Sequence, residues 1–97
     1  MDVRFSSLAV EELDDAALYY EQEQPGVGTR FLAAVEDAVR QLARMPTLWP
    51  LVDGDIRRCV LRRFPYSVFY AVEPDHVLVV AIAHQHRRPD YWQGRPT

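Results

Sequence analysis

The spacing of apolar residues divides the chain into a helical first half and a strand-rich second half. Near the N-terminus, Val3-Arg4-Phe5 alternates between apolar and polar positions, as a short strand does, and Ser6 follows as a good N-cap. We therefore predict a strand at residues 3–5 that leads into a helix over residues 7–24. The buried face of this helix carries apolar residues at helical spacing, namely Ala9, Leu13, Ala16, Ala17 and Tyr20.

A second amphipathic segment follows the turn signal Pro25-Gly26-Val27-Gly28 and stops before Pro46. It predicts a helix that runs to about Met45, with an apolar face made of Phe31, Val35, Ala38, Val39 and Leu42. Two amphipathic helices joined by a short Pro-Gly turn favour an antiparallel hairpin that covers one face of a sheet. The glycines serve this turn, and no phosphate-cradling loop follows a strand, so nucleotide binding is not indicated.

Strand-like patterns dominate after the second helix. Residues 47–55 are predicted to form a loop, and segments rich in β-branched and aromatic residues predict strands at residues 56–61, 66–72 and 77–83. Glu73-Pro74-Asp75-His76 is typical of a turn between the last two strands. The order βααβββ favours an α+β fold, in which the N-terminal helical hairpin covers one face of an antiparallel sheet.

Length and composition suit one small domain. The chain has 97 residues, of which 48% are hydrophobic, so residues 1–97 are predicted to share a single core, and only residues 93–97 are expected to be loose. No apolar run approaches the roughly 20 residues of a membrane-spanning helix, and the N-terminus lacks the layout of a signal peptide. We therefore expect a cytoplasmic protein, in which the single Cys59 is a core residue rather than a reactive thiol.

Charge is distributed unevenly along the chain. Residues 1–55 contain eleven acidic residues and four arginines, a net charge of −7, whereas residues 56–97 contain three acidic residues and seven arginines, a net charge of +4. The acidic residues of the first helix, Glu11, Glu12, Asp14 and Asp15, are predicted to form a solvated face. Every basic residue is arginine, which suits bidentate recognition of phosphate or carboxylate and is also what a GC-rich genome would produce.

The arginines of the second half form two clusters that the strands of one sheet would bring close together. One cluster surrounds the predicted second strand and the other follows the last strand; they consist of Arg57, Arg58, Arg62 and Arg63, and of Arg87 and Arg88. Aromatic and histidine residues accompany them: Tyr66, His84, His86, Tyr91 and Trp92. Arginine interleaved with aromatic residues suits a nucleic-acid backbone or an acidic protein partner. Any single arginine is more simply explained as a solvated side chain.

His84 and His86 flank Gln85 at the end of the last predicted strand and are expected to point to the same face. Paired histidines can bind a metal or act as acid and base. No Cys, His or Asp spacing typical of a metal site accompanies them, so we predict no metal. Histidine with arginine would suit metal-free RNA cleavage, in which arginine stabilises the phosphate while histidine moves protons.

Several segments, in order and in spacing, resemble the RelE/ParE toxins of type II toxin–antitoxin systems. In the first half these are Phe5-Ser6 before an acidic helix that ends in Tyr19-Tyr20, and then Pro25 to Phe31. The second half is more telling: Trp49-Pro50, then Gly54-Asp55-Ile56-Arg57-Arg58, Leu61-Arg62-Arg63-Phe64-Pro65-Tyr66 and His84-Gln85-His86-Arg87-Arg88-Pro89. The resemblance covers nearly the whole chain, although no single motif is diagnostic by itself.

The resemblance implies a small growth-inhibiting toxin, of the kind also described as a plasmid stabilisation protein, that a cognate antitoxin holds inactive. Two mechanisms occur on this fold: RelE-like members cut mRNA on the ribosome, whereas ParE-like members poison DNA gyrase without cleaving nucleic acid. RelE-like nucleases tend to place a charged residue midway along the strand after the arginine-rich one, where this chain has Ser67. These nucleases also tend to carry basic or acid–base residues at the end of the last strand, where this chain has His84, His86 and Arg87, so the nuclease stays an alternative. The Ser67 departure, the Arg-Arg-Phe-Pro-Tyr stretch and the histidine-plus-arginine ending favour the ParE-like branch.

Each mechanism assigns roles to the same end of the chain. A ParE-like toxin is not an enzyme and would contact gyrase through Arg62, Arg63, Arg87, Arg88, Tyr91 and Trp92. A RelE-like toxin would be a metal-independent endoribonuclease whose catalytic residues are His84, His86, Arg62 and Arg87. A third alternative is an inactive module that only binds the antitoxin. In every case no cofactor is expected, and the antitoxin should bind in grooves beside the hairpin and on the sheet, burying exposed apolar residues such as Trp49 or Trp92.

Overall fold

The computed structural model describes residues 1–87 and 92–95, which form two helices and a five-stranded mixed sheet. The elements in chain order are β1 (Asp2–Phe5), α1 (Ser7–Glu23), α2 (Val27–Arg44), β2 (Leu51–Asp53), β3 (Ile56–Val60), β4 (Tyr66–Val72) and β5 (His76–His84). The α+β fold and the helical hairpin are confirmed. The segment 47–55, predicted as a loop, contains the short strand β2 because its backbone pairs with β3.

The hairpin is held by side chains that cap the helix ends. Ser6 begins α1, and its hydroxyl oxygen accepts a hydrogen bond of 3.1 Å from the backbone N–H of Ala9. At the turn, the Glu21 carboxylate accepts hydrogen bonds of 3.0 Å from the backbone N–H groups of Gly26 and Gly28. A negative charge at the start of α2 also suits the helix dipole.

No helix of residues 1–87 and 92–95 is long and apolar enough to cross a membrane.

The sheet has the order β1-β5-β4-β3-β2. Strands β3 to β5 are antiparallel neighbours, as predicted, and β2 also pairs with β3 in antiparallel orientation. The prediction of an antiparallel sheet was wrong for β1, which pairs with β5 in parallel. The two helices follow β1 and cover one face of the sheet. Strands β2, β3 and β4 come next in the chain, and β5 then lies beside β1. The direction of β1 is therefore set by this long connection and not by a hairpin turn.

The main core lies between the helical hairpin and one face of the sheet. Phe31 and Leu42 of α2 are fully buried there, together with Val68, Tyr70 and Val79 of the sheet. Leu13, Tyr20 and Val39 pack against this core at its margin, so the predicted apolar faces of both helices are confirmed. Cys59 is also buried, and burial raises the pKa of its thiol to about 11, in agreement with a core role.

The other face of the sheet is covered in part by the C-terminal segment, contrary to prediction. Trp92 is only 6% exposed and packs on Phe69 with 5.4 Å between ring centroids. Gln93 donates a hydrogen bond to Asp53 of β2, and Arg95 binds Glu12 of α1. The expectations of an exposed Trp92 and of a loose tail from residue 93 were therefore wrong for residues 92–95, because apolar and charged partners on three elements anchor them.

The connection between α2 and β2 is tied to the sheet by two long side chains. The Tyr70 hydroxyl donates a hydrogen bond of 2.8 Å to the carbonyl of Pro46. The Arg57 guanidinium donates to the carbonyls of Thr47 and Trp49, at 3.2 and 2.6 Å. The Trp49 side chain packs against the main core, so it is half-buried rather than fully available to a partner.

We expect Tyr70→Phe to lower the free energy of unfolding by about 1–2 kcal/mol, because the partly buried Pro46 carbonyl loses its donor while the ring packing is kept. Tyr19→Phe is the matched control, since Tyr19 is exposed and should change stability by less than about 0.5 kcal/mol. Urea unfolding followed by circular dichroism measures both variants. Equal midpoints for the two would show that the hydroxyl of Tyr70 does not anchor the connection.

Candidate functional site at one end of the sheet

The end of β3, the start of β4 and the end of β5 meet at one end of the sheet. Tyr66, the first residue of β4, pairs with His84, the last residue of β5. Just beyond, the backbone N–H of Gln85 donates a hydrogen bond of 2.8 Å to the carbonyl of Pro65. The β3–β4 turn, which carries Arg62 and Arg63, therefore lies beside the residues that follow β5, as the sequence predicted.

The four arginines around β3 divide into two structural and two available side chains. Arg57 is held by the carbonyls of the α2–β2 connection. The Nε of Arg58 donates a hydrogen bond of 3.0 Å to the Ser67 hydroxyl, and its guanidinium lies 6.0 Å from the centre of the Phe69 ring. Arg62 and Arg63 are exposed and form no hydrogen bond or ion pair with another described residue. Only the latter two can therefore offer unpaired guanidinium groups to a partner.

The two histidines stack on each other at the end of β5. Their ring centroids are 5.1 Å apart with 30° between the planes, and Tyr66 meets the His84 ring edge-on at 5.2 Å. The backbone N–H of His86 donates a hydrogen bond of 3.1 Å to Nδ1 of His84. Neutral His84 therefore carries its proton on Nε2, and its Nδ1 lone pair is occupied.

An aromatic cluster packs against this end of the sheet on the face that the helices cover. Phe31 lies at its centre and contacts Tyr20, Phe64 and Tyr66 with ring centroids between 5.1 and 5.3 Å apart. Burial raises the pKa of the Tyr20 and Tyr66 hydroxyls above their ordinary value, so both remain neutral near pH 7. The turn that carries Arg62 and Arg63 therefore rests on a rigid apolar base.

Ser67 does not belong to this surface. Its side chain is on the opposite face of β4 from the aromatic cluster, it is 1% exposed, and its hydroxyl accepts the hydrogen bond from Arg58. Neither its chemistry nor its position offers a proton-transfer group to the cluster of arginines and histidines.

Arg87 lies on the far side of the histidines, at the edge of an open groove. The groove has a volume of about 520 Å³, and its walls consist of Arg87, Arg95, Leu8 and the four acidic residues of α1, Glu11, Glu12, Asp14 and Asp15. Arg87 thus faces a mainly acidic wall, unlike Arg62 and Arg63. Arg88 and Tyr91, also predicted to contact the target, lie outside the described residues.

Glu12 is a structural residue that the sequence prediction missed. It was assigned to a solvated helix face, but its carboxylate accepts a hydrogen bond of 3.1 Å from the backbone N–H of Ile82 and binds Arg95 through both oxygens. Arg95 also donates to the carbonyl of Val80. These side chains complete the edge of β5 beyond the point where β1 ends. Since 70 and 83 residues separate the partners, no local pattern could have revealed them.

The described part of the chain, residues 1–87 and 92–95, contains no group of three His, Cys, Asp or Glu side chains arranged to hold a metal ion. The chemistry that this end of the sheet offers is therefore positive charge from guanidinium groups, flat aromatic and imidazole surfaces, and the ring nitrogens of the histidines other than Nδ1 of His84.

Comparison with known proteins relates both the sequence and the fold to toxins. The family described as ParE toxin of type II toxin-antitoxin system, parDE, matches residues 3–89. The protein Y4kP of Sinorhizobium fredii, whose name assigns it as a toxin, is 32% identical over 85 residues, which cover 86% of this chain and 88% of Y4kP.

The solved structures that share the fold include two toxin–antitoxin systems. The chromosomal ParDE toxin–antitoxin system of P. aeruginosa superimposes with a TM-score of 0.65 at 21% identity, over 87% of this chain and 95% of that chain. The RelBE2 toxin–antitoxin complex of Mycobacterium tuberculosis superimposes with a TM-score of 0.57 at 24% identity, over 86% of this chain and 88% of that chain. The fold is thus common to a system named ParDE and a complex named RelBE2.

Proposed function

Because the chain belongs to the ParE toxin family of type II toxin–antitoxin systems, we propose that residues 1–97 form a single toxin domain that inhibits growth by binding DNA gyrase. The protein is the toxin of such a pair, and its first partner is a cognate antitoxin. In the proposed mechanism the toxin contacts gyrase through its surface and cleaves no nucleic acid itself.

The proposal rests on the guanidinium groups of Arg62 and Arg63 on the β3–β4 turn. Both are exposed, and neither forms a hydrogen bond or ion pair with another described residue. Arginine beside aromatic surface is the composition of residues that dominate the energetics of protein–protein contacts. The Phe31 cluster supports the backbone of this turn through Phe64, so little backbone entropy is lost when the arginines bind. Arg87, across the histidines, would extend the contact surface.

The arrangement of the histidines supports a contact surface better than a nuclease site. A general base needs a free lone pair directed at the proton that it removes. Nδ1 of His84 is already engaged by the backbone of His86, and the two rings stack face to face instead of lying on two sides of a phosphate. Ser67, at the strand position where nucleases of this fold tend to carry a charged residue, is buried and bonded to Arg58.

A ribosome-dependent mRNA endonuclease is the second candidate, and the exposed ring of His86 is the observation that favours it. In that mechanism His86, which stacks on His84, moves the proton, while Arg62 or Arg87 stabilises the charge on the phosphate. Such cleavage would need no metal or cofactor. An inactive module that only binds the antitoxin is the third candidate.

The deciding experiment is induction of the toxin without antitoxin, followed by separate pulse-labelling of DNA and protein synthesis. Under the gyrase proposal, DNA synthesis falls first, a DNA-damage response follows, and His84→Ala and His86→Ala each leave the growth arrest intact. If protein synthesis falls first and mRNA is cut, and if His86→Ala abolishes both effects, the nuclease replaces the gyrase proposal. Normal growth on induction would leave only the binding module.

A further inference from the structure

Strand β5 contains a β-bulge at Val80. Phe69 of β4 pairs with Ala81 of β5. The next residue of β4, Tyr70, pairs with Val79, so the pairing of the two strands skips Val80. An extra residue of this kind in one of two paired strands changes the direction in which the following side chains point.

The bulge reverses the alternation of side chains between the two faces of the sheet. Before the bulge, Val79 packs in the main core under the helices. Val80 and Ala81 are consecutive, yet both pack on the far face. Ile82 then returns to the main core. Because one face recurs at every second position of a strand, His84 follows Ile82 to the face that the helices cover.

Without the extra residue, the candidate site would be divided between the two faces. A regular strand with Val79 on the helix face would carry residues 81 and 83 there, and His84 would point to the far face. Tyr66, which meets the His84 ring edge-on at 5.2 Å, would remain on the helix face. The bulge therefore brings His84, and with it the stacked ring of His86, to the face of the aromatic cluster.

One ion pair holds the backbone on both sides of Ala81, directly after the bulge. The Glu12 carboxylate of α1 accepts a hydrogen bond of 3.1 Å from the N–H of Ile82. Arg95 donates a hydrogen bond of 3.0 Å to the carbonyl of Val80. The two side chains bind each other through hydrogen bonds of 2.9 and 3.0 Å, and only 20% of Glu12 and 15% of Arg95 is exposed. Solvent therefore screens this pair little.

On this side of β5, no described strand holds the bulge in place. The parallel pairing with β1 ends at Phe5, which lies opposite Val79. The Ser6 hydroxyl reaches the carbonyl of Val80 only through a long hydrogen bond of 3.4 Å. Backbone groups that a bulge leaves without a ladder partner are costly when they are buried. Partners from α1 and from the C-terminal segment therefore stabilise the bulge at this position.

We infer that Glu12 and Arg95 are positioning residues whose ion pair fixes the bulge at Val80. By holding the bulge there, the pair directs the two histidines at the end of β5 to the face of the aromatic cluster. Neither side chain needs to touch a target for this role. Only the consequence for gyrase binding rests on the proposed function, since the contact surface would then depend on how β5 presents its last residues.

NMR spectroscopy of Glu12→Ala, with Glu11→Ala as the matched control, tests the positioning role. The two glutamates are neighbours on α1 and carry the same charge, but Glu11 is exposed. At about pH 8, where imidazole is neutral, the wild-type protein should show the His84 proton on Nε2 and a nuclear Overhauser effect between the rings of His84 and Tyr66. In Glu12→Ala this effect should fall by roughly half or more as the strand changes register, whereas Glu11→Ala should match the wild type.

The orientation of His84 separates positioning from a purely structural role. A structural role would lower the stability of the domain but leave the His84–Tyr66 contact intact in the folded molecules. An unchanged contact in folded Glu12→Ala, or an equal loss in Glu11→Ala, would overturn the inference. If Glu12→Ala does not fold, Arg95→Ala decides in its place, because it removes the donor to Val80 and leaves the Glu12 carboxylate beside Ile82. The same loss of the ring contact is expected there, and an intact contact would overturn the inference.

Binding to purified gyrase is measured separately with Arg95→Ala. Its dissociation constant should rise roughly tenfold, as expected when a contact surface loses its preorganisation. A loss of the ring contact without weaker binding would confine the ion pair to setting the register of β5. A wild-type protein that does not bind gyrase would overturn the proposed function, while the NMR measurement would still decide the positioning role.

Discussion

Gly28→Ala is expected to destabilise the protein by about 3 kcal/mol, although alanine is a better helix former than glycine. A Cβ atom at position 28 would lie 2.5 Å from the carbonyl oxygen of Ala17 and 2.9 Å from Cβ of Glu21, so α1 and α2 would have to separate. Separation strains the core and stretches the hydrogen bonds from Gly26 and Gly28 to the Glu21 carboxylate. Denaturant unfolding measures the change.

The sign of the change in stability distinguishes close helix packing from helix propensity. Helix propensity alone would make Gly28→Ala more stable by about 1 kcal/mol. Thr29→Ala, at the next and exposed position of α2, is the control, and it should change stability by no more than about 0.5 kcal/mol. A Gly28→Ala variant as stable as the wild type would mean that the two helices do not approach each other as closely as described.

Reversing both charges of the β3–β4 turn, by Arg62→Glu and Arg63→Glu together, is expected to abolish growth inhibition while the domain stays folded. Each exposed arginine lacks a described partner, so stability should change by less than about 1 kcal/mol. Since we propose that both guanidinium groups bind the target, reversing their charge should weaken target binding roughly 1,000-fold. Growth assays, and binding to purified gyrase, measure the effect.

A control with the same change in net charge separates the site from general electrostatics. Arg30 and Arg44 are exposed on α2, and Arg30→Glu with Arg44→Glu should leave growth inhibition unchanged. Undiminished toxicity of the Arg62 and Arg63 double variant would remove the β3–β4 turn from the contact surface. Arg87 is less suitable for this test because it lines the groove with the acidic residues of α1.

Local sequence patterns were sufficient for the helices and for most of the strands. The apolar spacing, the Ser6 cap and the Pro-Gly turn predicted the hairpin, which α1 (Ser7–Glu23) and α2 (Val27–Arg44) confirm. The same patterns missed β2, because a three-residue edge strand with exposed side chains shows no alternation between buried and solvated positions. Its existence depends on the neighbouring β3.

The candidate site was only partly visible in the sequence. Its location was predicted, since Arg62, Arg63 and the histidines lie at strand ends that an antiparallel sheet brings together. The sequence did not predict which of the arginines are available to a partner. Arg57 and Arg58 belong to the same run of basic residues, yet carbonyl and hydroxyl partners 8 to 10 residues away hold them in the structure.

By itself, the sequence determined the two helices, the strands β3 to β5, the family and the concentration of positive charge in the second half, because each depends on periodicity, capping, turn chemistry or motif order along the chain. Only the tertiary structure decided that β1 runs parallel to β5, that Trp92 covers the far face of the sheet, and that Glu12 and Arg95 close the edge of β5. These features join residues up to 83 positions apart. Such contacts form where shape and charge match in the folded sheet, and no pattern of neighbouring residues records that match.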